Sequence, residues 1–157
     1  MELEKAMRES YVEMTEIVLP NDANLIGTAF GGKIAQWIDI AGSIAAIRHC
    51  RNLVVTASMG QIDFVHRVKV GQIVILHAWV VAVGNTSMEV LVEIYAEDPL
   101  TGHRDHTGNA SLTSVAVDKD GKKIQVPRVR PETVEEKKMH EAGLARIQAR
   151  KRTQDTH

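Results

Sequence analysis

Of 157 residues, 44% are apolar and 25% charged, and the formal net charge is −1. That is the composition of a single globular domain, with enough apolar side chains to close a core without disulfides. The balanced charge and the scarcity of aromatics, two each of Trp, Tyr and Phe, argue against a nucleic-acid-binding surface.

In chain order, residues 9–19 alternate in the manner of a first strand that Pro20 closes. The segment "NDANLIGTAF" is rich in turn formers and predicts irregular backbone. Ile34, Trp37, Ile38, Ala41, Ile44 and Ala45 recur at i, i+3, i+4 spacing and predict a helix from Gly31 to about His49. Four extended segments follow. Residues 53–65 form the first, with a bulge expected at Gly60. Residues 72–83 are apolar on both faces, the mark of a strand covered on both sides. The turn Gly84-Asn85-Thr86-Ser87 leads into a segment where Met88, Val90, Val92, Ile94 and Ala96 alternate with Glu89, Leu91, Glu93, Tyr95 and Glu97. That pattern predicts a half-buried strand with the glutamates on its open side. Residues 106–117 complete the set. The expected architecture is a domain over residues 1–131, followed by a charged surface helix or tail over 132–157.

The class is therefore α+β, in the order β-α-β-β-β-β. One helix cannot cover both faces of a five-stranded sheet, so the second face of residues 72–83 is expected to meet another subunit of a homo-oligomer. The one cysteine, Cys50, excludes an intrachain disulfide and points to a reducing compartment. The charged N-terminus and the lack of a bilayer-length apolar run predict a cytoplasmic protein without membrane contact.

The helix opens on Gly31-Gly32, the poorest ordinary helix former taken twice. One reading is a simple corner between loop and helix. The other is that something approaches the backbone there, where a helix N-terminus offers unpaired N–H groups and partial positive charge to an oxygen gaining negative charge. On the helical wheel, Gly32, Ala35, Gln36, Asp39, Gly42, Ser43 and Ala46 share a small and polar face, with Asp39 its only charge. Asp39 reads either as a solvated helix residue or as a carboxylate in a dry seam, where it would serve as a base. Gly32 and Asp39 are separated by about 10 Å of helix rise, too far to serve one reacting carbon from the same helix. Two helices related by a two-fold axis would bring the glycine end of one to the middle of the other.

The run "PNDANLIGTAFGGKIAQWIDIAG" resembles the signature of the hotdog-fold acyl-CoA thioesterases, in the branch of the bacterial YciA-type enzymes and the animal cytosolic acyl-CoA hydrolases. Similarity continues through "SMGQIDFVHRVKVGQIV", "VAVGNTSMEVLVEIYAED" and "TSVAVDKDGKKIQVP", roughly Tyr11 to Pro131. The resemblance implies a hotdog fold, a long helix wrapped by a curved antiparallel five-stranded sheet, assembled as a dimer or a trimer of dimers. It implies hydrolysis of an acyl-CoA thioester to coenzyme A and a carboxylic acid, with no other cofactor. The family's catalytic acid falls on Asp39, its loop asparagine on Asn24 and its glycine pair on Gly31-Gly32. Asp39 would act as general base or as nucleophile. Many members carry His where this chain has Phe30, so an imidazole has no role there. Gly84, Asn85, Thr86 and Ser87 are candidates for binding the coenzyme, as are Arg48 and Arg67, and Met59 is a candidate for the acyl pocket.

His103 and His106 around Asp105 lack a second ligand pair at telling spacing, and no metal is expected. Cys50 beside His49 reads as a core residue. A hotdog hydratase would need a histidine soon after its helix acid, and none lies between residues 31 and 48. The alternative function is a non-catalytic acyl-CoA-binding or regulatory module on the same fold.

Overall fold

The computed structural model describes residues 3–155. Eight strands and two helices follow one another as β1 (Glu4–Ala6), β2 (Val12–Ile17), α1 (Gly31–Cys50), β3 (Leu53–Met59), β4 (Asp63–Phe64), β5 (Ile73–Val83), β6 (Ser87–Glu97), β7 (Arg104–Val117), β8 (Arg128–Arg130) and α2 (Val134–Asp155). The main sheet runs β2-β5-β6-β7-β3, every neighbouring pair antiparallel, with β4 pairing β7 beyond the end of β3. This is the hotdog arrangement, with α1 cradled by the curled sheet. Three register shifts curl it, between Thr56 and Ser58, Val80 and Ala82, and Ile94 and Tyr95.

The predicted stripe of α1 is the buried one. Ile34, Trp37, Ile38, Ala41 and Ala45 lie against Leu76, Val90, Ile94 and Leu112 of the sheet. Each large side chain so buried contributes about 1.5–3 kcal/mol. The small face of the helix has an intrachain explanation in its lower half. A Cβ on Gly42 would stand 2.7 Å from Leu112 Cδ2, so glycine lets the helix settle onto β7. At the helix end, Arg51 takes the left-handed conformation with φ of 53°. His49 and Cys50 are both buried. Burial lowers the His49 pKa and raises that of the Cys50 thiol, and His49 Nε2–H donates to the Pro127 carbonyl at 2.9 Å. Neither is placed for nucleophilic chemistry.

Several boundaries move. The first strand is shorter than residues 9–19 because Met7–Ser10 form a 3-10 turn. The buried Ser10 hydroxyl accepts from Val80 N–H at 2.9 Å, above the point where β2 stops pairing. The charged N-terminal segment contributes β1, which pairs in parallel with β8. The expected bulge at Gly60 lies instead at Ala57, and Gly60 marks the break between β3 and β4. A closer constraint is Gly108, where a Cβ would lie 2.2 Å from the Asp63 carbonyl oxygen.

The larger correction concerns the outer face of the sheet. The side of β5 expected to meet another subunit is covered over Val81 and Ala82 by α2 of the same chain. A Cβ on Gly143 would stand 2.9 Å from Val81 Cγ2, Ile147 is buried, and His140 Nδ1–H donates to the Val81 carbonyl at 2.8 Å. Glu89, expected on the open side of its strand, is 1% exposed. Its carboxylate accepts from Thr113 Oγ1 at 3.1 Å, Arg146 Nε at 3.1 Å and Arg150 Nη2 at 2.7 Å. The two arginines sit one helical turn apart on α2, so the charged helix is clamped to the sheet by a buried carboxylate held between two partly exposed guanidiniums. Farther along this face, Tyr11, His77, Trp79, Tyr95 and His106 form a row with ring centroids 5.2–6.0 Å apart.

Replacing Arg146 and Arg150 together by Met would strand the Glu89 carboxylate and is expected to lower unfolding stability by about 3–5 kcal/mol. Glu89→Gln, which leaves only partly exposed arginines unpaired, should lower it less. Urea titration of the two variants checks that order.

Candidate active site

The loop that feeds α1 closes on itself before the helix begins. Asp22 accepts Leu19 N–H on its side chain at 3.0 Å and Phe30 N–H on its carbonyl at 2.8 Å. Between these anchors Asn24 Oδ1 accepts from the N–H groups of Ile26 and Thr28, each at 3.1 Å, and Asn24 Nδ2 donates to Thr28 Oγ1 at 2.8 Å. Gly27 turns the tip with φ of 81°. Thr28 bridges to Lys69, and Ala29 N–H donates to the Val68 carbonyl at 2.8 Å, which fastens the loop to the segment before β5.

Helix α1 then starts without help. No side chain caps it, and no acid lies in its first turn. Its leading N–H groups thus keep their donor capacity and their partial positive charge. Gly31 and Gly32 have ordinary helical backbone and nothing within 4 Å of an added Cβ. No contact within the chain requires glycine at either position. A cavity of about 330 Å³ opens beside this helix end, lined by Asn24, Thr28, Gly31, Ile34, Phe64 and Arg67. Its donors are of the kind that hold a carbonyl oxygen or a water.

Asp39 lies two turns farther along, half-buried on the side of α1 that faces the edge strand β3. Thr56 Oγ1–H donates to its Oδ1 at 2.6 Å, a short charge-assisted bond that fixes the carboxylate and leaves Oδ2 free of a hydrogen-bond partner among the described residues. Thr56 sits next to the bulge at Ala57. Its hydroxyl is the site feature with no sequence signal, because "VVTAS" reads as plain edge strand.

The other candidates scatter. Arg67 joins the cavity of Asn24 and Gly31. Arg48 is drawn to the far end of the helix, where Nη1 donates to the Tyr11 carbonyl at 2.6 Å. Met59 is half-buried at the end of β3 and packs on the core. Gly84 and Asn85 border a separate groove beside α2. Thr86 and Ser87 shape the hairpin, Thr86 through its carbonyl to Ala116 N–H and Ser87 through its carbonyl to Gly84 N–H. His103 Nε2 meets Asp105 Oδ1 at 2.9 Å in an exposed turn. Among the described residues no three His, Cys, Asp or Glu side chains gather as a metal site.

Residues 26–103 match the family model of the thioesterase superfamily. The chain is 44% identical to the uncharacterised acyl-CoA thioester hydrolase YkhA of Bacillus subtilis, over 92% of its own length and 84% of that protein. The chain belongs to the hotdog-fold acyl-CoA thioesterases. A rat cytosolic acyl coenzyme A thioester hydrolase is 32% identical over 94% of this chain, which spans 39% of that longer protein. Among solved structures, an apo-hexameric acyl-CoA thioesterase superposes with a TM-score of 0.92 at 40% identity, covering 98% of this chain and 97% of the other. An acyl-CoA hydrolase of Staphylococcus aureus, solved with butyryl coenzyme A and coenzyme A, gives 0.91 at 36% identity and covers 98% and 93%. That hydrolase has also been solved as single alanine variants of an asparagine, an aspartate and a threonine, which lie 15 and 17 positions apart in its chain.

Asn24→Ala would leave the Ile26 and Thr28 amides without their acceptor and is expected to lower stability by about 1–2 kcal/mol. Hydrogen exchange should quicken at those two amides and stay slow at Ile38 in the core. Asn24→Asp, which keeps an acceptor oxygen, should restore most of the protection.

Proposed function

We propose that this thioesterase hydrolyses acyl-CoA to coenzyme A and a carboxylic acid at a site shared by two copies of the chain. The observation that carries this reading is the pair of glycines at the start of α1. They have no intrachain reason, they lie uncapped beside a cavity with an amide donor, and the helix carboxylate is too far away in its own chain. The spacing of the substituted residues in the Staphylococcus aureus hydrolase supports the assignment, since Asn24, Asp39 and Thr56 are also 15 and 17 positions apart.

In this reading the thioester oxygen of the bound substrate rests on the leading N–H groups of α1. The second proton of Asn24 Nδ2, not used by Thr28, adds a donor. Asp39 of the partner copy stands across the cleft with Thr56 holding Oδ1, so that Oδ2 takes a proton from water as the oxygen of that water bonds to the carbonyl carbon. The oxyanion then collapses, the C–S bond breaks, and the proton passes to the departing thiolate. Direct attack by Asp39 would instead expel the thiolate and form a mixed anhydride, which water opens.

The surface supports the second copy. β3 is the edge of the sheet and carries exposed Leu53 and Val55, with Ile40 and Ile47 exposed on the neighbouring helix. An uncovered apolar edge of this kind favours pairing with another strand. Two chains joined edge to edge about a two-fold axis would set their α1 helices antiparallel. A trimer of such dimers agrees with the hexameric thioesterases among the solved relatives.

Thiol release from butyryl-CoA should fall about 10²–10⁴-fold in Asp39→Ala. Gly32→Ala separates function from folding, because alanine should raise unfolding stability by about 0.5–1 kcal/mol while turnover drops. Turnover that survives both changes would remove the helix from the mechanism. Sedimentation at micromolar concentration should give an even multiple of 17.3 kDa, and a stable monomer would exclude a shared site.

A further inference from the structure

Two apolar surfaces near the candidate site have no cover within their own chain. The first is the tip of the Asn24 turn, which the Ala29–Val68 bond fastens at its base. Leu25 there is 106% exposed and its neighbour Ile26 69%. No charge falls between Asp22 and Lys33. The second is a stripe on α1 beside Asp39. Ile40, Ser43, Ile44 and Ile47 share one helix face at i, i+3, i+4, i+7 spacing, and all four are exposed or half-buried. No charge falls between Asp39 and Arg48. A single exposed apolar residue such as Leu100 is ordinary. Adjoining apolar residues on a stretch without charge have the make-up of an interface centre.

The two-fold relation that brings Gly32 to Asp39 of the partner copy also brings these surfaces together. Its axis passes midway between those positions, level with residues 35 and 36. With a helix rise of about 1.5 Å per residue, Ile44 and Ile47 of the partner copy overhang the first residue of α1 by about 6 Å and about 10 Å. Beyond that first residue lies the Asn24 turn with its apolar tip. Asn24 is tied to the tip directly, since its Oδ1 accepts from the Ile26 and Thr28 amides at 3.1 Å each. We infer that Leu25 and Ile26 form a clasp on the Ile40–Ile44–Ile47 stripe of a second copy, and that this contact holds Asn24 in its working position. They are positioning residues, acting through Asn24 and touching no reacting atom. The inference rests on the shared-site reading above, and it names what each copy lends the other besides Asp39.

The test compares three full chains: wild type, Leu25→Ala with Ile26→Ala, and the conservative Leu25→Met with Ile26→Val. Sedimentation on dilution measures association, and hydrogen exchange at Thr28, itself unaltered, reports the Asn24 turn. Hydrolysis of butyryl-CoA and dodecanoyl-CoA is followed at concentrations where sedimentation finds the chains associated. In the alanine variant association should weaken at least about tenfold, and Thr28 exchange should quicken. Its kcat should fall by one factor for both thioesters, with KM unmoved. The conservative variant should restore all three. Both side chains are exposed in their own chain, so the variants should fold normally, which circular dichroism verifies. Association and Thr28 exchange equal to wild type would overturn the clasp and leave the shared site standing. Weakened association with unmoved kcat and slow Thr28 exchange would also overturn it. A KM raised for dodecanoyl-CoA alone, with association intact, would assign the tip to the acyl chain and overturn it likewise. A monomeric wild type would defeat the shared site and the clasp together. A wild type that associates but cleaves neither thioester would defeat the thioesterase reading, and association and exchange would still decide the clasp.

Discussion

The architecture depends on one fit, a twenty-residue helix lowered into the hollow of a curled sheet. The hollow exists because extra residues interrupt the ladders of β3–β7, β5–β6 and β6–β7, and each interruption bends the sheet around the helix. The helix seats deeply because Gly42 has no side chain to hold it off Leu112. Once α1 is seated by Ile34, Trp37, Ile38, Ala41 and Ala45, its orientation is no longer free. The glycine end must point out of the sheet beside the Asn24 loop, and Asp39 must face the edge strand. Core packing and the placement of the chemical groups are therefore one event.

The two ends of the helix obey opposite rules. At the C-terminus Arg51 turns left-handed and donates its N–H to the Ile47 carbonyl, so the last turn is finished in the usual way. At the N-terminus no side chain finishes the first turn. A helix stabilised only by its own hydrogen bonds could ill spare that cap, worth about 1 kcal/mol. Here burial of the apolar stripe supplies the stability, and the bare end stays available for another partner.

Residues whose environment follows from periodicity were legible. The α1 stripe, the inward rows of β5 and β6 and the element order all come from patterns of period 3.6 or 2. Gly31, Gly32 and Asp39 stood out because each is unusual for its local structure, whereas Asn24 is an ordinary turn residue that only the family resemblance singled out. Three features escaped. Glu89 looked solvent-facing because alternation reports which side of a strand a residue takes and not what lies over that side. What lies over it is α2, whose docking stripe of Met139, Gly143 and Ile147 is thin, and whose attachment is ionic. Thr56 is a common strand residue, and its hydroxyl gains a role only from the helix that passes 17 positions earlier in the chain. The Asn85 groove needs β8 and α2 to return beside the hairpin, a juxtaposition of distant segments that no local pattern encodes.

The kink at Ala57 has a further effect on solubility. An open strand edge is ordinarily a template for indiscriminate stacking into fibres. Displacing one residue out of plane midway along β3 spoils the flat, repeating geometry such stacking needs, while a rotated duplicate bearing the matching kink could still dock. The irregularity beside Thr56 would then act as a lock that accepts a rotated copy of itself and turns away promiscuous neighbours.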